Sequence, residues 1–391
     1  MEAFYSTHTY LVEHVQSPIR RQLMDEIDWT HRLIGIKGSR GVGKTTFLLQ
    51  YAKEKFGASR CCLYINFNNF YFTQHSLVEF AEKFCNQGGK TLLIDQTFKY
   101  ENWSKELREC YDRFPDLHIV FSGSSVMRLI QDNTDIQDIV VSYNLRGFSF
   151  REFLNLKADI SLKSYTLNEI IHNHVQIAQE ICSQVKPLDY FQAYLQYGFY
   201  PFFLENRNFS ENLLKTMNMM LEVDILLIKQ IDLKYLSKIR KLLYILMNNA
   251  PAGPNVSQLS VEIETSRATI MNYIKYLKDA RLLNLLYAED EDFPKKPRQI
   301  YVQNTNLMYV VSQDAIDKDA ERKTFFYNAL HAKHKVNASR YQNDFCIDHQ
   351  YHFKCDNNHQ HKSTSKLYYA VDEIETGNKN EIPLWLFGFL Y

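Results

Sequence analysis

The stretch Gly38-Ser39-Arg40-Gly41-Val42-Gly43-Lys44-Thr45-Thr46 constrains this chain more than any other. It satisfies G-x-x-x-x-G-K-[ST], in which a glycine-rich turn joins a buried strand to a helix. The flanks agree: Leu33-Ile34-Gly35-Ile36 reads as a short buried strand, and Phe47-Leu48-Leu49-Gln50-Tyr51-Ala52 as the helix behind it. Phosphate groups need backbone N–H donors converging on them with no side chain in the way. Gly38, Gly41 and Gly43 permit that wrap, Val42 and Thr46 belong to the same cradle, and the helix N-terminus adds favourable partial charge. Lys44 is then placed to reach the β- and γ-phosphates, and the Thr45 hydroxyl to ligate magnesium. A glycine-rich turn that carries Lys-Thr by chance would need neither the strand nor the helix. ATP and Mg2+ are therefore the expected ligands.

The neighbouring segments extend the pattern. Residues 1–30 repeat apolar side chains at helical spacing (Leu11, Val15, Ile19, Leu23, Ile27) ahead of the first strand. Cys61–Phe67 reads as a second strand and Ser76–Asn86 as an amphipathic helix. Thr91-Leu92-Leu93-Ile94-Asp95 is an apolar run closing on an acid, the pattern of a strand whose Asp holds the magnesium shell. Ser104–Phe114 reads as a helix and Leu117–Ser125 as a strand ending in small polar residues. Ser124 at that tip either senses the terminal phosphate or merely turns the chain. Strands alternating with helices over residues 30–155 predict an α/β domain with a parallel sheet covered on both faces.

Composition sets outer limits. The chain has 391 residues, 45 % of them hydrophobic and 23 % charged, so two or three globular domains are expected. Its formal net charge is zero, so any attraction to nucleic acid or a membrane must come from a local patch. The longest apolar runs, Leu242–Met247 and Pro383–Tyr391, are too short to cross a bilayer. Seven cysteines without a C-x-x-C pair, and an N-terminus with no basic-then-apolar signal, lead us to expect reduced thiols and a cytoplasmic protein.

Beyond residue 157 the texture changes. Ser161–Leu233 is mostly helical and is expected to form a lid beside the nucleotide domain. In 236–304, three helices (Ile239–Met247, Val256–Ile263, Ser266–Leu282) precede two short strands, Leu285–Ala288 and Arg298–Val302. That is the order of a winged helix. Its third helix would present Arg267, Thr269, Asn272, Tyr273 and Lys275, the types that touch phosphates and base edges. The same module also serves as a packing element that touches no DNA. Residues 305–391 read as a helix over Lys323–Leu330, a hairpin of Asp344–Ile347 with Tyr351–Cys355, and strands at Lys366–Val371 and Pro383–Tyr391.

These motifs together resemble the AAA-type P-loop ATPases common in Bacteroidetes and archaea, which carry a last domain related to restriction-type nucleases. The resemblance rests on the P-loop, the Asp95 strand with the following Lys99-Tyr100 and Trp103–Leu107, and the Gly123-Ser124-Ser125 tip. It rests also on Gly147–Phe153, on Tyr197–Phe202, and on the ending Ile382–Phe389. It implies an oligomer whose sites are completed by a neighbouring subunit's arginine.

Four departures from that resemblance bear on function. Relatives follow the magnesium Asp with a Glu that activates water; here Gln96 follows Asp95, and Thr97 and Phe98 also differ. An amide is a poor base, so binding should survive and hydrolysis slow. A pair of arginines in relatives is replaced by Asp138 and Ile139, leaving Arg128, Arg146 and Arg151 nearby. In the last domain Lys323 stands where a Glu is usual, and Lys354-Cys355-Asp356-Asn357-Asn358 replaces a metal-holding run, with only Asp344 in register. Two-metal hydrolysis needs several carboxylates, so an inactive nuclease fold is expected. His349, His352, Cys355, His359 and His361 invite a zinc reading, but their spacing fits no standard ligand frame.

The expectation is an ATP-binding, oligomeric AAA-type protein, slow in hydrolysis, acting on DNA through its winged helix. The alternative is a non-catalytic, nucleotide-gated interaction, signalling or defence switch.

Overall fold

A computed structural model describes the chain except residues 128, 130–132, 206–207, 313–314, 340–343 and 358–366. The chain divides into two compact units, Met1–Arg146 and Gly147–Tyr391.

The first unit is an α/β layer structure. Helices α1 (Glu2–His14) and α2 (Leu23–Glu26) precede β1 (Leu33–Gly38) and α3 (Lys44–Lys55). They are followed by β2 (Cys62–Asn66), α4 (Leu77–Asn86), β3 (Thr91–Asp95), α5 (Trp103–Arg113), β4 (His118–Ser124) and β5 (Val141–Asn144). The strands form one five-stranded sheet in the order β2-β3-β4-β1-β5, parallel throughout. Strands buried on both faces lose the in–out alternation of a half-exposed sheet; Leu92, Leu93 and Ile94 of β3 are all fully buried. Helix α4 begins where the Ser76 hydroxyl accepts the Glu79 N–H, and it buries Leu77, Phe80, Ala81 and Phe84 along one stripe.

The strand order decides where chemistry can occur. Because β4 is inserted between β3 and β1, the chain leaves β3 and β1 on opposite sides of it, and a crevice opens at the carboxyl ends. The register puts Gly38 beside Ser124 and Asn66 beside Asp95, so the motif-bearing ends of four strands lie at one edge.

The second unit opens with two helices, α6 (Phe150–Ala158) and α7 (Leu167–Cys182), each started by a reciprocal capping box: Ser149 with Glu152 and Thr166 with Glu169. Helix α8 (Leu188–Ala193) runs into a wide turn at Tyr194–Gly198, and α9 (Phe209–Met219) into another at Met220–Leu227. Asn306, fully buried, holds the first wide turn by donating to the Tyr194 and Leu195 carbonyls and accepting the Phe199 N–H. Three helices follow, α10 (Leu236–Asn248), α11 (Val256–Glu262) and α12 (Arg267–Asp279). An antiparallel pair, β6 (Leu283–Leu286) and β7 (Gln299–Val302), closes on them, with Ala252 bridging to Ile300. Next come α13 (Thr305–Val311) and α14 (Lys318–Leu330). The last sheet holds β8 (Val336–Ala338), β9 (Phe345–Ile347), β10 (Tyr351–Asp356), β11 (Leu367–Val371) and β12 (Glu381–Pro383), in the order β12-β11-β10-β9-β8. It is mixed: β10, β11 and β12 run parallel, while β9 is antiparallel to both neighbours.

Three sequence expectations change. The unit boundary falls after Arg146 rather than after residue 157, because Phe150, Phe153 and Leu154 of α6 are buried in the second unit's core. The helices expected as a separate lid share that core: Ile170, Ile181, Phe191 and Tyr194 pack in one cluster with Phe326, Phe345, Phe353, Trp385 and Phe387. Helical turns over Leu384–Phe389 replace most of the strand expected at 383–391. Those six residues are all buried, and an apolar run buried all round does not declare its period.

Candidate nucleotide site

The glycine-rich turn leaves β1 at Gly38 and enters α3 at Lys44. Gly41 and Gly43 have φ of 85° and 95°, the left-handed region that side chains resist, and Gly43 is the residue that starts α3. Gly38 is required for a different reason. A Cβ there would lie 2.4 Å from the Leu145 carbonyl oxygen and 3.1 Å from Val42 Cγ2. Beneath the turn the Arg21 guanidinium, buried, donates to the carbonyls of Val42 (3.2 Å) and Arg146 (2.6 Å), tying the turn to the end of β5. The Lys44 ammonium donates to the Gly38 and Ser39 carbonyls, both at 2.8 Å.

Asp95, 2 % exposed at the end of β3, is the hub of the site. Thr45 Oγ1 donates to its Oδ2 at 2.7 Å, so the sheet register and the α3 start bring the two expected metal-holding residues together. Tyr64 Oη donates to the same oxygen at 2.9 Å. Ser122 Oγ donates to Oδ1, which also accepts the Gln96 N–H at 3.0 Å. Burial, and then the Asp95 charge, push the Tyr64 phenol well above its ordinary range, so it acts here as a donor. Gln96 itself sits at φ 56°, ψ 44°, and its N–H also reaches Ser122 Oγ at 3.1 Å.

Ser124 lies at the tip of β4 opposite Gly38, its Oγ accepting the Val126 N–H, and does not touch Asp95. Ser122, two residues earlier on the same face, does. No motif in the sequence singles out Ser122, Tyr64 or Arg21. Strand alternation puts Ser122 with Ser124 and Tyr64 with Asn66 on common faces, but which strand neighbours which is not written in either segment.

Of the arginines near the replaced pair, Arg128 lies outside the described residues. Arg151 is buried in the second unit and donates to the Tyr391 and Leu162 carbonyls, a structural role that removes it as a finger. Asp138, one of the two residues read from the sequence as replacing an arginine pair, pairs with Arg108 at 2.9 Å, and that hydrogen bond holds its carboxyl below the usual range.

On α12, Arg267 and Asn272 are exposed, and Thr269 supports the helix start, its Oγ1 2.8 Å from the Ser266 hydroxyl. Tyr273 is 5 % exposed, which corrects its placement on the presented face: position 273 falls on the stripe with Ile270, Ile274 and Leu277 that packs inward. Lys275 Nζ lies 4.5 Å from the Phe293 ring centroid in the β6–β7 loop, a cation–π contact.

In the last sheet Lys323 bridges two carboxylates, Asp319 at 2.7 Å and Asp344 at 3.1 Å, and Asp344 also accepts the Cys355 N–H at 2.8 Å. Burial works against the ammonium's charge, but the Asp319 hydrogen bond and the Asp344 carboxylate outweigh it and raise the Lys323 pKa. Lys354 pairs with Asp356 at 3.3 Å. Among the described residues no cluster of three or more His, Cys, Asp and Glu side chains could hold a metal ion. His349 sits in the β9–β10 turn, and His359 and His361 lie outside the described residues. Among the described residues, too, no helix is long and apolar enough to cross a membrane.

Comparison with known proteins agrees with this geometry at the level of the domain. Residues 30–154 match the family model of an AAA domain, and residues 188–308 match a domain of unknown function (DUF8612). Two uncharacterised proteins of Methanocaldococcus jannaschii, MJ1637 and MJ1544, are 28 % and 26 % identical over 65 % and 64 % of this chain. The matched regions span 56 % and 55 % of those relatives, so the chain covers little more than half their length. Among solved structures, a single-substitution variant of Thermotoga maritima RuvB aligns over 81 % of this chain and 96 % of its own, with 14 % identity and a TM-score of 0.29. Aeropyrum pernix ORC1 in complex with DNA aligns over 80 % and 92 %, with 10 % identity and a TM-score of 0.31.

Proposed function

We propose that this chain is an AAA-type protein that binds ATP with magnesium, turns it over slowly, and acts on DNA as an oligomer. The observation that carries the nucleotide reading is the contact between Thr45, on the first turn after the glycine-rich loop, and Asp95, at the end of the strand two places away. The residues fit the ligand: the positive-φ glycines free the backbone donors, Lys44 supplies a cation over the turn, and Thr45 with Asp95 would hold Mg2+. Held by Thr45 and Asp95, Mg2+ would supply positive charge against the phosphates. Gln96 occupies the place of a water-activating acid, and its amide cannot take a proton at neutral pH. Titration of ATP and Mg2+ by calorimetry tests the reading. The parent should bind and Lys44→Ala should not, since its ammonium is the charge that meets the phosphates; equal affinities would sink it.

For the second unit we propose that α10–α12 with β6 and β7 form a winged helix, and that the β8–β12 sheet with α14 is an inactive relative of nuclease folds. Arg267, Thr269, Asn272 and Lys275 are the candidates for DNA contact. Lys323 supports inactivity, because an ammonium rather than a carboxylate sits against Asp344, the one acid in register with a metal-holding run, and pairs with it and with Asp319.

The alternative is a nucleotide-gated interaction, signalling or defence switch without turnover. Gln96 favours it, as do Asp138 in an arginine's place and the inward Tyr273, which narrows the DNA-facing surface of α12.

A further inference from the structure

Four donors converge on Asp95, two on each oxygen: Thr45 and Tyr64 on Oδ2, Ser122 and the Gln96 N–H on Oδ1. A carboxylate has about four lone-pair directions, so all of them are used. The donors differ in what holds them. Tyr64 and Ser122 come from the strands flanking β3, on the same face as Asp95, and both are buried. The Gln96 N–H is fixed by the chain itself. Thr45 alone is exposed and comes from a helix start rather than the sheet. It is therefore the exchangeable donor, the one whose hydroxyl can turn to another partner while the other three keep the carboxylate still.

We propose that Tyr64 and Ser122 are positioning residues that hold Asp95 from the two neighbouring strands, so that the Thr45 place on Oδ2 is the one opened to the shell of a divalent cation. This rests on the nucleotide-site reading above. Tyr64 shares Oδ2 with Thr45 and so sets the direction of the lone pair that Thr45 releases. Ser122 pins Oδ1 and joins it to the Gln96 N–H, which prevents the carboxylate from rotating about χ2. Both residues are buried and both hydroxyls donate to Asp95, so their effect should fall on the magnesium dependence of binding and not on nucleotide binding as such.

The test uses the full chain with Tyr64→Phe and Ser122→Ala, which remove hydroxyls and keep shape, and Ser122→Thr, which restores one. A fluorescent ATP analogue is titrated in EDTA and at graded Mg2+. Affinity in EDTA should match the parent, while the Mg2+ concentration giving half of the metal-dependent gain should rise about ten- to a hundredfold in both hydroxyl-free variants, the scale of a lost hydrogen bond to a charged group. Ser122→Thr should return it to the parent value. Equal losses in EDTA and in Mg2+ would make the two residues mere packing and overturn the inference, as would an unchanged midpoint. A parent that binds no nucleotide would remove the nucleotide reading and this inference together; a magnesium-dependent parent with unaffected variants would remove this inference alone.

Discussion

Gly38→Ala separates two reasons for a glycine at the first position of the turn. If its only task were to leave room for phosphate, alanine would fold normally and fail only in binding. The structure predicts otherwise. The added Cβ would meet the Leu145 carbonyl oxygen at 2.4 Å, a backbone atom that cannot rotate away. Either β1 or the 144–146 segment must shift, and the Leu145 N–H to Lys37 carbonyl hydrogen bond (2.7 Å) lies in the path of that shift. Overpacking of this kind costs about 1–3 kcal/mol, and a weakened backbone hydrogen bond adds about 1. The total is about 2–4 kcal/mol, or a fall of roughly 10 °C in melting temperature for a unit of this size. Gly57→Ala is the control. Gly57 has φ +55° and nothing within 4 Å of an added Cβ, so it carries only left-handed strain of about 1 kcal/mol. Thermal unfolding followed by circular dichroism, without nucleotide, reads both. If Gly38→Ala melts within about 2 °C of Gly57→Ala, a difference below about 1 kcal/mol, the packing argument is wrong and the glycine serves the ligand alone.

Steady-state ATP hydrolysis by the parent should run well below the median enzyme rate of about 10 per second, and Gln96→Glu should raise it; a fast parent would show that Gln96 is no impediment. Lys323→Met should destabilise the second unit by about 2–3 kcal/mol in urea denaturation, since it leaves Asp319 and Asp344 facing each other without their shared cation, and a cost near zero would count against the bridge. Because the Lys323 pKa is raised on folding, its contribution is fully present below the ordinary lysine range and is lost as pH climbs through the raised value, so the parent and Lys323→Met should converge only in strong alkali. The double change Arg267→Ala with Lys275→Ala should weaken duplex binding and lower the slope of log affinity against log salt by about one unit for each phosphate no longer neutralised. Arg267 alone should carry most of that effect, since Lys275 already rests on Phe293; unchanged binding at several salt concentrations would leave the helix a packing element.

The geometry of the candidate site was legible where its residues are contiguous. A P-loop is a local object: Gly41, Gly43 and Lys44 act through backbone conformation and reach within a few residues, so their order along the chain is their geometry. Asp95 was legible because a buried strand must be apolar until it emerges, and an acid at that point marks the end. Tyr64 and Ser122 were not, since each meets Asp95 only through the β2-β3-β4 pairing, and no segment states its neighbours. Tyr273 shows the same limit on a helix: its period was readable, but which face turns inward depends on what packs against it. The boundary at Arg146 was hidden for a related reason. Phe150 and Phe153 look like the tail of the first domain in sequence, yet they are buried with Phe325, Phe389 and their neighbours, which arrive far later in the chain. Hydrophobic burial is non-directional and reports only that a residue leaves water. Local chemistry is therefore written in the order of residues, whereas the partners of a buried side chain are decided only when distant segments close on one core.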